Sequence, residues 1–321
     1  MTSKRKIAAA LVLLALSACA CNATDRPGGA SMEVSVQEAA WSFSGIPGTA
    51  LTSDHYYIYT TTANRSMLTY LPGFMEGAYR HYSALTGLPR PGEQKRMPIY
   101  LLADRQQWAA MTQQVTGPGN RTYLAIENGG YCYRGVCVFW DMGHFATFAI
   151  AAHEGLHQFL HHRLRDRIPA WAEEGLAVMA EGFQMAAASV RFSPQANTLR
   201  LTNLRNMISG DRWLPLEKLL STDAADHVGA TPAAPEYYGQ LWALLMYIRS
   251  QPGYRQGLER MLADAAAGKL RAALNVPPAM GAGRAYNRAV SVPMFKHYID
   301  ADPAGFERGL RAYAQKLAKL G

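Results

Sequence analysis

Cysteine is scarce, with four in 321 residues, and no further Cys/His pair lies near Cys132 and Cys137, which argues against a cysteine-built metal site there. Acidic residues are outnumbered, 24 to 32 Lys and Arg, for a formal net charge of +8. The excess is spread out: no Lys/Arg block with interleaved aromatics occurs, so nucleic acid is not an expected partner, and a solvated surface attracted at most to anionic lipid or glycan is. Charged residues make up only 17% of the chain against 49% hydrophobic, a balance that argues against disorder as the default and supports a sizeable core. Internal repeats are absent, and so is low-complexity sequence beyond Ala-rich patches. The apolar run inside "MTSKRKIAAALVLLALSA" is about a dozen residues, too short to span a bilayer as a mature helix.

That run follows Lys4, Arg5 and Lys6 and reads as an export signal covering residues 1–18. Leu16-Ser17-Ala18-Cys19 resembles the bacterial lipobox, which implies a diacylated Cys19 as the new N-terminus and a lipid anchor in the cell envelope, on the periplasmic or surface side of the outer membrane. An ordinary cleaved signal peptide is the alternative, and it too exports the chain. Removing the signal leaves a net charge of 8 − 3 = +5. Cys21 has no evident partner. Cys132 and Cys137 flank a turn in "YCYRGVCVF", and an oxidising compartment favours pairing them as a hairpin disulfide, with two free buried thiols as the alternative.

Residues 19–52 mix Pro, Gly and Ser breaks with no sustained period and are expected to be a tether and loosely structured lead-in. One domain then fills 53–321. Its sheet part, about 53–142, reads as the strand "HYYIYTTT", the helix "SMLTYLPGFMEGAYRHYSALTG" closed by Gly87, the strand "MPIYLLAD", a helix "RQQWAAMTQQV" capped by Asp104, and hairpin strands in "TYLAIENGGYCYRGVCVFWDM". From about 143 to 321 the pattern is helical, beginning with Phe145, Ala149, Ala152, Leu156 and Phe159 at three- and four-residue steps. The segments "PAWAEEGLAVMAEGF", "EYYGQLWALLMYIRS", "GYRQGLERMLADAAAG" and "PAGFERGLRAYAQKLAKL" continue it. The expected fold class is α+β, a small mixed sheet followed by a mainly helical half.

The first of these helices carries "HEGLHQF". Residues four apart lie one above the other, so His153 and His157 project from one face about 6 Å apart and can converge on one ion. Glu154 sits about 100° round the helix, beside that ion, where its carboxylate can accept a proton from water. Leu156 and Phe159 face the core. An open zinc site needs a third protein ligand. His161 cannot supply it, because eight residues of straight helix rise about 12 Å. Leu160 and Arg163 exclude the metzincin pattern, which needs Gly and His there. His161 and His162 are expected on the surface, where cations suit a helix C-terminus.

A better third ligand lies in "IPAWAEEGLAVMAEGF". Ala172, Leu176, Met179 and Phe183 form its core stripe, and Glu174 lies roughly opposite with Trp171 and Val178, so a helix packed on both sides would hold that carboxylate inside the protein. A buried carboxylate needs a partner, and a zinc ion is one. Glu173 is expected on a more exposed face, although periodicity does not choose between the two.

"HEGLH", sixteen residues, and then Glu174 inside "WAEEGLA" resemble the gluzincins, zinc peptidases whose third ligand is the Glu of a W-x-x-E-G-x-A segment, aminopeptidase N and its relatives among them. The layout from "HYYIYTTT" to "EYYGQLWALLMYI", about residues 55–255, is similar to the peptidase MA-like group, including a bacterial branch of exported proteins. The resemblance implies a zincin-like fold, a zinc cofactor on His153, His157 and Glu174, Glu154 as general base, and a peptide or protein substrate. A Tyr from a later helix is implied as oxyanion donor: Tyr238, which fits the group's Y-x-Q pattern better, or Tyr237, with packed core aromatics as the plainer reading of both. No G-x-M-E-N segment is present, which favours an endopeptidase over an exopeptidase. "GVCVFWD" is expected to be the edge strand to which substrate adds. The competing readings are a zinc hydrolase of another amide or ester bond in envelope material and a non-catalytic binding protein on the same fold. Gly155, costly in a helix interior by about 1 kcal/mol relative to Ala, is expected to permit close approach of substrate or of the Glu174 helix.

Overall fold

The computed structural model describes residues 29–89, 95–117, 121–186, 188–223, 226, 234–277 and 283–319. The signal segment, Cys19 and Cys21 lie outside these. Nine strands and twelve α-helices follow in the order β1 (Ala30–Ser31), β2 (Gln37–Phe43), β3 (Ile46–Thr52), β4 (Tyr56–Thr60), α1 (Arg65–Thr86), β5 (Met97–Leu102), α2 (Arg105–Thr116), α3 (Arg121–Leu124), β6 (Gly130–Tyr133), β7 (Val136–Trp140), α4 (His144–Arg163), α5 (Ala170–Ala180), β8 (Phe183–Ala186), β9 (Ser189–Phe192), α6 (Thr198–Ser209), α7 (Leu216–Ser221), α8 (Ala234–Ser250), α9 (Pro252–Ala267), α10 (Leu270–Ala273), α11 (Arg284–Tyr298) and α12 (Pro303–Lys319) among the described residues. The class is α+β, with the large sheet in the N-terminal half and helices dominating the rest. Among the described residues no helix is long and apolar enough to cross a membrane.

Local chemistry sets the boundaries. Asn64 caps α1 by accepting from Ser66 N, and Gly87, at φ 67°, ends it in the left-handed region that glycine adopts without penalty. Asp104 caps α2 through Gln107 N, as its sequence position suggests. The main sheet runs β2-β3-β4-β5-β7-β6. Strands β4, β5 and β7 are mutually parallel, whereas β2, β3 and β6 join antiparallel. One face packs against α1 and α4 through Ile58, Ile99, Phe139, Phe74, Phe148 and Phe159, all at most 1% exposed. The other face is covered by α2, where Trp108 sits on Val138, Trp140 and Leu102 and its indole N–H donates to Val138 O. Beyond the sheet, α5 lies between α4 and α8.

Three expectations change. Residues 37–52 are not a loose lead-in: β2 and β3 form a hairpin that extends the sheet. Most of β2 is exposed, so it carries no buried period for a pattern search to find. "GVCVFWD" is not an edge: β7 is held between β5 and β6, and the outer strand beside α4 is β6. The sequence order of the hairpin does not reveal which of its arms pairs inward. Phe145, placed on the buried stripe of α4, is 62% exposed and leans on Phe183 at 5.2 Å, because α4 projects past the core at its first turn. A second sheet, β1-β9-β8, was not legible in the short segments that make it.

Candidate metal centre

Helix α4 delivers His153 and His157, and α5, packed on it, delivers Glu174. The two imidazole Nε2 atoms are 3.3 Å apart. Glu174 Oε2 is 3.5 Å from His153 Nε2, and its Oε1 is 3.7 Å from His157 Nε2. These three side chains offer one ligand atom each, all within 4.8 Å of one another, and could hold a metal ion. The helix is buried on both sides as its periodicity requires: Ala172, Leu176 and Met179 on one side and Trp171 and Val178 on the other are all at most 1% exposed, whereas Phe183, expected to continue the first stripe, opens β8 instead.

Each histidine has a carboxylate behind it. His153 Nδ1 lies 2.8 Å from Glu181 Oε1, and His157 Nδ1 lies 3.2 Å from Glu173 Oε1. An ionised carboxylate can only accept, so each Nδ1 carries the hydrogen and each Nε2 turns toward the shared point. An arginine backs each carboxylate in turn. Arg200 grips Glu181 with two bonds, Nε to Oε2 at 2.8 Å and Nη2 to Oε1 at 2.7 Å, and Asn197 Nδ2 adds a third at 3.1 Å. On the other side Arg167 Nε is 3.5 Å from Glu173 Oε2 and half exposed.

Two ring nitrogens and a carboxylate facing one point make a hole of negative potential, which must draw in protons or a cation. Burial disfavours charge on His153, yet its bonds to Glu174 and Glu181 outweigh that and push its pKa up to about 9. His157 is likewise raised against the effect of burial, chiefly by the charge of Glu174 and then by its bond to Glu173. Glu174 and Glu181 are held below the usual carboxylate range despite burial, Glu174 mainly by His157 and Glu181 mainly by Arg200. Carboxylates that raise the proton affinity of both rings favour a cation at the same point.

Glu154 is 9% exposed. Burial raises its pKa, against the lowering pull of the two histidines and the backbone N–H of Cys132. Tyr238 stands beside the group, its ring edge-on to His153 at 6.1 Å. Burial, and after it the charge of Glu174, push its pKa well above the phenol range, so it remains an O–H donor. Tyr237 is fully buried and its hydroxyl reaches Thr222 O at 3.4 Å, which places it in the core. His161 and His162 are exposed, as expected.

Three assignments are corrected. Glu173 is not an exposed bystander but the partner of His157, because α5 begins only three residues earlier and its first turn leans over α4. Cys132 and Cys137 face each other in the hairpin register but form no disulfide. Cys137 instead donates its S–H to Glu154 O at 3.2 Å, a bond that turns the thiol toward α4. At Gly155 neither substrate nor α5 makes the close approach. It is α1: an added Cβ would stand 2.6 Å from Tyr82 Oη and 2.8 Å from Met75 Cε.

Sequence reasoning missed Glu181, Arg200 and Asn197. A signal existed for Glu181, since seven residues past Glu174 is two helical turns and returns to the same face. Arg200 comes from another helix and carries no local signal.

Fold and site together define an α+β protein whose His153, His157 and Glu174 form a carboxylate-backed group able to hold a metal ion. Residues 146–267, which include His153, Glu154, His157, Glu173, Glu174, Glu181, Arg200 and Tyr238, match a family described as "Protein of unknown function (DUF1570)". No curated protein and no solved structure matches the chain.

Proposed function

We propose that the protein is a zinc-dependent hydrolase of gluzincin type, a metallopeptidase with an endopeptidase preference. The observation that carries this reading is the convergence of two carboxylate-backed imidazoles and Glu174 beside the buried Glu154. Four-coordinate zinc with bonds of about 2.0–2.1 Å sets neighbouring ligand atoms about 3.3–3.4 Å apart. The two nitrogens already stand 3.3 Å apart, and each faces its own oxygen of Glu174, at 3.5 Å (Oε2) and 3.7 Å (Oε1), so a turn of the carboxylate is needed to bring one oxygen to that spacing from both. The donor set fits as well, two nitrogens and one carboxylate leaving a fourth position open, the pattern of catalytic and not of structural zinc. Support also comes from an antiparallel outer strand, β6, beside the helix that bears both histidines.

Zinc bound there would supply Lewis acidity at a substrate carbonyl and a lowered pKa for water. The protein's own residues do the rest. Glu154, whose proton affinity burial has raised, accepts a proton from the attacking water and passes it to the leaving amine. Tyr238, kept protonated, donates to the oxygen on which negative charge develops. Glu181 and Glu173 fix the orientation and tautomer of the two histidines. β6, as the outer strand of the sheet, is where an extended peptide would add by backbone pairing, which favours a peptide over other amide or ester substrates. The lipobox-like "LSAC" extends the proposal to an exported, lipid-anchored enzyme of the cell envelope.

A protease-substrate profile of wild type and Glu154→Gln, with and without chelator, tests the reading. Chelator-sensitive peptide cleavage is expected in wild type, and the variant should keep its metal while losing turnover. Full activity in Glu154→Gln refutes the assigned base.

A further inference from the structure

Arg200 touches two parts of the site that have different tasks. Its guanidinium makes two bonds to Glu181, which holds His153 by Nδ1. The same group lies over the Tyr238 ring, 5.0 Å from its centre. Arg200 cannot move easily: its side chain is 15% exposed, and Asn197 pins it from two directions. Asn197 Oδ1 accepts from Arg200 N, which caps α6, and Asn197 Nδ2 bonds both Glu181 Oε2 and Val178 O. Loop, helix start and carboxylate are thus locked together around one cation.

We infer that Arg200 is a positioning residue that sets the Tyr238 phenol through a cation–π contact while it separately sets His153 through Glu181, so that metal holding and oxyanion donation are aligned by one side chain. The inference rests on the zinc-hydrolase reading for its kinetic consequence, but not for its structural one. A flat guanidinium suits this dual role: its edge pairs with a carboxylate in bidentate fashion while its face lies on an aromatic ring. The counterpart on His157, Arg167, has a nitrogen 3.5 Å from Glu173 and a half-exposed side chain, where that of Arg200 is 15% exposed.

The informative change is Arg200→Lys, which keeps a cation for Glu181 and removes the plane beneath Tyr238. Arg200→Met would leave Glu181 buried without its cation and is open to misfolding, so the lysine variant carries the test. Zinc affinity is expected to stay within about threefold, while kcat falls about tenfold at unchanged KM, the pattern of an interaction made in the transition state. In a Tyr238→Phe background the same change should cost less than about twofold, because its target is gone. Glu181→Gln should instead weaken zinc binding about 10- to 100-fold. Independently of activity, ring-carbon NMR of 13C-tyrosine protein, with Tyr238 assigned by its absence in Tyr238→Phe, should show that resonance displaced in Arg200→Lys and in place in Arg167→Lys. An unmoved resonance overturns the inference. So does an equal loss of turnover in the wild-type and Tyr238→Phe backgrounds, or a fall in zinc affinity that matches the fall in turnover. Absence of any hydrolysis by wild type would sink the zinc-hydrolase reading alone, and the tyrosine resonance would still decide the role of Arg200.

Discussion

Gly155→Ala perturbs the middle of "HEGLH" without touching a proposed ligand, and its effect can be worked from distances. Helix propensity alone favours alanine there by about 1 kcal/mol. The added Cβ, however, would stand 2.6 Å from Tyr82 Oη and 2.8 Å from Met75 Cε, where ordinary contacts are 3.4–4 Å. Met75 can bend its terminal methyl aside. Tyr82 cannot: it is fully buried and its hydroxyl donates to Ala152 O at 2.8 Å. Overpacking of this kind costs about 1–3 kcal/mol, and stranding a buried polar group costs about 1–3 kcal/mol more if the Tyr82 bond breaks. The net expectation is a loss of about 2 kcal/mol, with α4 pushed off α1 by a few tenths of an ångström near His153. Urea unfolding of the metal-free protein reads the stability, and competition with a chromophoric chelator reads zinc affinity, which should fall as well. A variant that is about 1 kcal/mol more stable than wild type, with unchanged affinity, would show that α1 does not constrain this helix.

Three further outcomes follow from the same geometry. Glu174→Gln removes a proposed ligand and Glu173→Gln only a partner of one, so zinc affinity should fall about 10- to 100-fold in the second and further in the first; the reverse order would exchange their roles. In the metal-free protein the pKa of His153 is pushed up to about 9 and that of His157 is raised above its ordinary value, so protons compete with an ion for the two Nε2 atoms and are released when it binds. Zinc affinity should therefore rise with pH toward about 9, and calorimetry in buffers of different ionisation enthalpy should detect the released protons; buffer-independent heats would contradict this. Far from the site, buried Glu76 accepts from Ser53 Oγ at 2.7 Å, His55 N at 2.8 Å and His55 Nδ1 at 2.5 Å. Although burial opposes it, these bonds lower the Glu76 pKa below its unfolded value, so its stabilisation is complete above the ordinary carboxylate range and is lost as pH falls through the folded pKa. Glu76→Gln should destabilise the protein at neutral pH and flatten the acid limb of the stability curve; an unchanged limb would place the acid sensitivity elsewhere.

Where the chain speaks in local patterns, the sequence was legible. Asp104 and Gly87 are a cap and a stop because a side-chain oxygen and a left-handed backbone are needed at those points, and both are found there. His153 and His157 could be named because helical spacing confines them to one face, whereas Glu174 is separated from Glu173 only by the resemblance of "WAEEGLA" to the gluzincin segment, since periodicity leaves the two open. Other features are decided by tertiary approach and leave no local trace. Glu173 is drawn into the site only because α5 lies across α4, Gly155 is demanded by Tyr82 from a helix much earlier in the chain, and Arg200 arrives from a helix whose cap, Asn197, bonds the residue it serves. The β2–β3 hairpin escaped for the opposite reason: its exposed residues leave no apolar alternation to detect.

The central claim is that His153, His157 and Glu174 hold one zinc ion. Elemental analysis of purified protein after exposure to zinc and removal of excess, run beside His153→Ala, tests it most directly. One zinc per wild-type chain and none retained by the variant is the predicted result. A wild type without stoichiometric zinc, or a His153→Ala protein that keeps it, would contradict the account.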